Sequence, residues 1–212
     1  MNTKSEDLFE DFLNSNAVRF SRIEEVKQKG AKRPDYLVEI GDLKIVFEVK
    51  QFGDDEDDER AQFTGGWSST PGARLRQLIT RSKKQIQFGA DQGIASVLLV
   101  YNNTDPVFQL RGTDEFDFRT AMYGELTMLI DKQAQETSEF FHGRKNEMQE
   151  SKNTSFSAVG HLSNRGGTTT VTLWENAYAK VKIPFEQLPP CFAVRPVKID
   201  SDPLSFSKRS TD

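Results

Sequence analysis

Pro34-Asp35-Tyr36-Leu37-Val38-Glu39-Ile40-Gly41-Asp42-Leu43-Lys44-Ile45-Val46-Phe47-Glu48-Val49-Lys50 is the stretch that decides the fold. Two runs rich in β-branched and aromatic residues flank a Gly-Asp pair, which reads as a hairpin with a two-residue turn. Glycine at the first turn position is what a type II′ turn requires. With Ile40 opposite Leu43, Glu39 faces Lys44, Leu37 faces Val46 and Asp35 faces Glu48. One face of the ribbon then holds Tyr36, Val38, Ile40, Leu43, Ile45, Phe47 and Val49, all apolar. A slip in register would turn that face to solvent, so the pairing is strongly specified.

The other face carries the chemistry. Asp35 and Glu48 stand opposite each other, with Cβ atoms ~5 Å apart in such a pair. Lys50 follows two residues beyond Glu48 on the same face. Facing carboxylates repel unless a proton or cation lies between them. Mg²⁺ resolves the conflict, with Mn²⁺ as a substitute, because it takes a few carboxylates, keeps several waters and works on phosphates. Held there, it would polarise a phosphoryl oxygen and lower the pKa of a water nucleophile. Lys50 would position that water or stabilise charge developing on the phosphate. Glu-x-Lys by itself is common on half-exposed strands; the register and the apolar reverse face give it its weight.

Outward from the hairpin, residues 5–16 read as a helix, with Ser5 as cap and Leu8, Phe9, Phe12 and Leu13 as an apolar stripe. Residues 17–24 read as a first strand. Residues 73–88 form a basic amphipathic helix with Leu75, Leu78, Ile79, Ser82 and Ile86 inward, and the apolar run 94–101 is a buried strand. The first half therefore reads α-β-β-β-α-β. Beyond it the sequence predicts a short helix around 118–123, a strand over 125–131, a polar loop over 132–153, and an antiparallel pair at 156–162 and 168–174. Pro189-Pro190 and the polar tail from Asp200 suggest a loosely held C-terminus.

The chain has 212 residues, 36% hydrophobic and 28% charged, which is enough apolar material for a real core and excludes global disorder. No run approaches the roughly 18 apolar residues of a membrane span. The single cysteine, Cys191, excludes an internal disulfide framework, and with no signal-like N-terminus this points to a reducing cytoplasm. Net charge is −4, but residues 54–59 are six consecutive acids, and without them it is +2. A polyanionic substrate is therefore compatible with the remainder, and the acid run reads as a solvated loop, a candidate electrostatic gate.

Pro34-Asp35, twelve residues, then Glu48-Val49-Lys50 resembles the signature of the PD-(D/E)XK nuclease superfamily, whose common core is αβββαβ. The resemblance covers about half the chain. It implies a Mg²⁺-dependent hydrolase of DNA phosphodiesters in which Asp35 and Glu48 hold the metal, the Val49 carbonyl completes the ligation and Lys50 assists the attacking water. Such families often place a glutamate of the first helix near the metal; Glu6 and Glu10 compete for that place. Glu6 lies about 90° and Glu10 about 130° from the centre of the buried stripe, whereas Phe9-Glu10 is closer to the family's helix pattern. Relatives also direct a Gln or Lys of the later helix to the site, which is Gln85 here. Arg74, Arg76, Arg81 and Lys83 flank the same helix and suit phosphates, which position nucleic acid without reading sequence.

Other signals are weaker. His142 and His161 have no metal spacing, Cys191 has no sequence-near histidine, and Asn164-Arg165-Gly166-Gly167 reads as a hairpin turn. Trp67 reads as a loop anchor. The expectation is thus an α/β chain: a restriction-endonuclease-like core with a mixed sheet over 1–105, an antiparallel β-rich extension over 106–199 and a flexible tail over 200–212. The expected activity is a Mg²⁺-dependent deoxyribonuclease, with a homodimer or protein partner open and no membrane association. The alternative is a catalytically silent binding or assembly module of the same fold in a defence or repair complex.

Overall fold

Thr3 opens the first element. Its hydroxyl accepts the Glu6 N–H at 3.3 Å and the Glu6 carboxylate accepts the Thr3 N–H at 2.6 Å, a reciprocal cap that starts helix α1, Lys4–Ser15. Ser5, the cap expected from the sequence, lies buried in the first turn instead, because it is Thr3 that stands three residues before a glutamate. The computed structural model describes residues 2–24, 32–53, 70–104, 112–128, 130–131, 136–137 and 141–196. The acid run 54–59, Trp67 and the tail from residue 200 lie outside them, as does the side chain of His142.

The elements that follow are β1 (Arg19–Arg22), β2 (Tyr36–Ile40), β3 (Leu43–Phe52), α2 (Ala73–Ala90), β4 (Ala95–Asn102) and α3 (Glu115–Tyr123). Four two-residue strands come next, β5 (Leu126–Thr127), β6 (Ile130–Asp131), β7 (Glu136–Thr137) and β8 (Phe141–His142). The last described strands are β9 (Ala158–Arg165), β10 (Thr168–Glu175) and β11 (Phe192–Arg195). Seven strands make one mixed sheet in the order β1-β2-β3-β4-β9-β10-β11. The β1–β2, β2–β3 and β9–β10 pairs are antiparallel; β3–β4, β4–β9 and β10–β11 are parallel.

The β2–β3 hairpin has the expected register, with Leu37 opposite Val46 and Glu39 opposite Lys44. Gly41 takes φ +58° and Asp42 stays out of the positive-φ region, as a type II′ turn demands. The apolar face of the ribbon packs on α1: Phe9, Phe12 and Leu13 meet Tyr36, Val38, Ile45, Phe47 and Val49. The Phe9 ring lies 5.0 Å from that of Phe47 and 5.4 Å from that of Tyr36. Each fully buried side chain of this size contributes about 1.5–3 kcal/mol.

The opposite face is covered by α2 and α3, through Leu75, Ile79, Ile86, Phe118 and Met122 against Leu98, Val100, Val159 and Trp174. With both faces covered, every residue of β4 is buried, which is why its sequence is an unbroken apolar run. Gly89 fixes how closely α2 approaches. A Cβ there would stand 2.4 Å from both Ser96 Oγ and Val46 Cγ2. Val46 lies on the same face of β3 as Glu48, so this contact brings α2 down over the functional face.

Three expectations are corrected. The C-terminal strands are not a separate antiparallel layer: β9 adds to β4 in parallel and continues the central sheet, and of the three only the β9–β10 hairpin is antiparallel. The strand expected over 125–131 is broken into β5 and β6, which pair with β8 and β7 in two small sheets. Its apolar alternation has no core to face, since Met128 and Ile130 are exposed. Pro189-Pro190 does not release the chain, because β11 follows, with Phe192 5% exposed and its ring 5.3 Å from that of Phe12. Among the described residues, no helix is long and apolar enough to cross a membrane.

Candidate active site at the open end of the hairpin

Pro34 has no N–H, so the β2–β3 ladder cannot run on past it. The last cross-strand pair is Tyr36 with Phe47. Asp35, one residue beyond, donates its N–H to Phe47 O at 3.0 Å and accepts Ile23 N–H on its carbonyl at 2.9 Å. Its side chain then does what the missing backbone partner cannot: Oδ2 accepts the Val49 N–H at 2.7 Å. Asp35 is thereby fixed at the open end of the ladder, beside Glu48, rather than in a regular pair with it. Within a strand, the N–H and C=O of one residue point the same way, so the Val49 carbonyl faces this same edge.

Glu48 lies in mid-strand under α2, with a side chain only 1% exposed. Neither of its oxygens has a hydrogen-bond donor in bonding geometry among the described residues. Lys50 Nζ lies 2.5 Å from Oε1, a charge contact without hydrogen-bond alignment, and leaves Oε2 unmet. Burial, and then the nearby Asp35 charge, push the Glu48 carboxyl up to about 7, against the opposing pull of Lys50. Burial also raises Asp35, partly offset by the Val49 N–H and Lys50. For Lys50, burial works to lower the pKa, but the carboxylates of Glu48, Asp35 and Glu6 outweigh it and the net shift is upward. The centre is thus a cation beside two carboxyls that resist ionising together.

The two candidate glutamates of α1 are placed differently. Glu10 accepts from Tyr36 Oη at 2.9 Å and from Arg22 Nε at 2.5 Å, so its carboxylate is engaged by a hydroxyl and a guanidinium. Glu6 is held in the helix cap by Thr3, yet its charge reaches Asp35 and Lys50 and raises both. Of the pair, Glu6 is the one the fold brings to the centre's electrostatics. Gln85 is half-buried on α2, with Oε1 buried and unbonded among the described residues. Arg74 lies over the Phe52 ring at 5.3 Å, at the carboxyl end of β3. Arg76 donates Nη2 to Pro71 O at 3.1 Å, which ties it to the start of α2. Arg81 is exposed and Lys83 half-buried on the same helix.

Sequence reading missed Gln51. Its Oε1 accepts the Ser5 N–H at 3.1 Å and so ties the start of α1, with Glu6, to the end of β3. Adjacency to Lys50 was the available signal, but the partner lies 46 residues away. It also missed Asp117, a buried acid whose Oδ1 accepts the Gly72 N–H at 2.7 Å and which fixes the entry to α2. His161, set aside from sequence, lies in register with Lys50 across β4.

The donor set fits a hard cation: Asp35 and Glu48 supply oxygens, Glu48 has a buried unbonded one, and the Val49 carbonyl faces the same edge. No third acid, His or Cys joins them in a metal-binding group among the described residues. The remaining positions of a Mg²⁺ shell would fall to water and substrate. The chain matches no family model, no curated protein and no solved structure with which it was compared.

Proposed function

We propose that this chain is a metal-dependent nuclease that hydrolyses DNA phosphodiester bonds, with a restriction-endonuclease-like core formed by α1, β1, β2, β3, α2 and β4. One observation carries the reading: Glu48 is buried with an unbonded oxygen, beside Asp35 and in contact with Lys50. A buried carboxyl group with an oxygen left unbonded costs stability and persists where function uses it. The αβββαβ order of the described elements and the resemblance of Pro34-Asp35 and Glu48-Val49-Lys50 to the PD-(D/E)XK signature support it.

Asp35 and Glu48, with the Val49 carbonyl, would hold Mg²⁺ or Mn²⁺, which when bound supplies Lewis-acid polarisation of the phosphate and a more acidic water. The chain's own part is as follows. The Val49 N–H orients Asp35 through its bond to Oδ2. The α2 layer keeps bulk water from Glu48, which strengthens every charge interaction there. Lys50, whose side chain is 35% exposed beside Glu48, would also present its ammonium to a phosphate oxygen. Glu6 adds negative potential from the start of α1. Arg74, Arg81 and Lys83 on α2 offer cations to the flanking backbone phosphates.

The test is cleavage of DNA and RNA by the purified chain with Mg²⁺ or Mn²⁺, beside Glu48→Ala and Lys50→Ala. The expected result is metal-dependent DNA cleavage that falls by about a hundredfold or more in each variant. Cleavage that survives both substitutions removes these residues from the mechanism. The Lys50–Glu48 contact favours a second reading, because it neutralises the centre without a metal. A silent binding or assembly module would need no more than that. Calorimetry with Mn²⁺ separates the two: heat of binding that disappears in Glu48→Ala supports the enzyme, and none in the parent chain supports the module.

A further inference from the structure

The parallel strands β3, β4 and β9 end side by side, and side chains of β4 and β9 line a shallow recess at their carboxyl ends. Tyr101, Asn102, His161, Ser163, Asn164 and Arg165 surround it, and among the described residues no carboxylate does. The carboxyl edge of parallel strands is where open α/β sheets take ligands. Lys50 pairs with Val100, and Val100 with His161. His161 is therefore two strand spacings from Lys50, about 10 Å, on the same face of the sheet. Ser163 and Arg165 follow at two-residue steps along β9 and share that face.

We propose that this recess is a second phosphate subsite, taking the backbone of the same nucleic-acid strand that Lys50 contacts, more than one nucleotide along it. The span sets this: Arg165 stands four residues beyond His161 on β9, so its Cα lies about 16 Å from that of Lys50, farther than one backbone phosphate lies from the next. The proposal rests on the nucleic-acid reading above and names residues that the reading does not include. Arg165 is exposed and has no ion-pair partner among the described residues. The His161 ring is held 5.9 Å from that of Phe118, so the imidazole is placed by packing. Burial and the Arg165 charge push its pKa down to about 4. The imidazole is therefore neutral at pH 7 and offers one N–H donor. From the other face, Lys4 lies over the Tyr101 ring at 5.5 Å and adds a cation at this edge.

The test measures fluorescence anisotropy of labelled single-stranded oligonucleotides of two and six nucleotides, in EDTA so that none is cut. The proteins are the parent chain, Arg165→Ala and Lys50→Ala. One single-strand phosphate contact contributes a slope of about −0.7 in log K against log salt, about fivefold in affinity at 0.1 M. The six-mer should bind the parent more tightly than the two-mer. Arg165→Ala should lose about fivefold on the six-mer, flatten its salt slope by about 0.7 and leave the two-mer unchanged. Equal six-mer binding by parent and Arg165→Ala, with Lys50→Ala weakened at both lengths, overturns the subsite and leaves the nucleic-acid reading standing. No binding of either oligonucleotide by the parent overturns both.

Discussion

Glu48→Gln should stabilise this protein above neutral pH, and the amount follows from the site. In the folded chain the Glu48 carboxyl is pushed from its ordinary 4.5 up to about 7, first by burial and then by Asp35. Between those two values the folded state keeps a proton that the unfolded state has released. Stability therefore falls as pH rises from about 4.5 to about 7 and is level above that. At 1.36 kcal/mol per pH unit the loss is about 3 kcal/mol. Asp35, also raised, contributes in the same direction. Lys50, raised above an ordinary 10.5, takes no part in this window.

Gln removes the titration and keeps the shape. Urea unfolding of both proteins in EDTA, followed by circular dichroism from pH 4.5 to pH 8, should show the variant gaining on the parent by about 3 kcal/mol across the range. In a chain of this size that corresponds to roughly 6–12 °C in Tm. Adding Mg²⁺ at a hundred times its dissociation constant should return about 2.7 kcal/mol to the parent and nothing to the variant. A difference between the proteins that does not change with pH would refute the reasoning, because it would mean Glu48 titrates alike folded and unfolded.

Two further substitutions test the scaffold around the site. Gly89→Ala should destabilise by about 1–3 kcal/mol in denaturant unfolding, since its Cβ would meet Ser96 and Val46 at 2.4 Å. A neutral result would mean α2 does not rest on β3 as described. Asn176→Ala should cost about 2–4 kcal/mol, because the wholly buried amide serves the Asn153 and Phe156 carbonyls and the Tyr178 N–H at once. Retention of parent stability would show that water takes over those groups.

The β2–β3 register, the turn at Gly41-Asp42 and the burial of β4 are all legible in the order of residues alone. Each is a local matter: a period of two, a glycine where φ is positive, and an apolar run with no polar face. The neighbourhood of Asp35, Glu48 and Lys50 was legible for the same reason, being a consequence of that register. The rest depends on partners distant along the chain. Glu6 and Glu10 lie on one helix, yet Arg22 and Tyr36 engage the second, while the charge of the first reaches the centre. Gln51 and His161 acquire their places from α1 and from the parallel pairing of β9 with β4. Periodicity gives the direction a side chain points but not the strand that will lie beside it. Glu48 itself could be read as one acid of a pair; that it is sealed under α2 follows from Gly89, which lets the helix descend onto the strand.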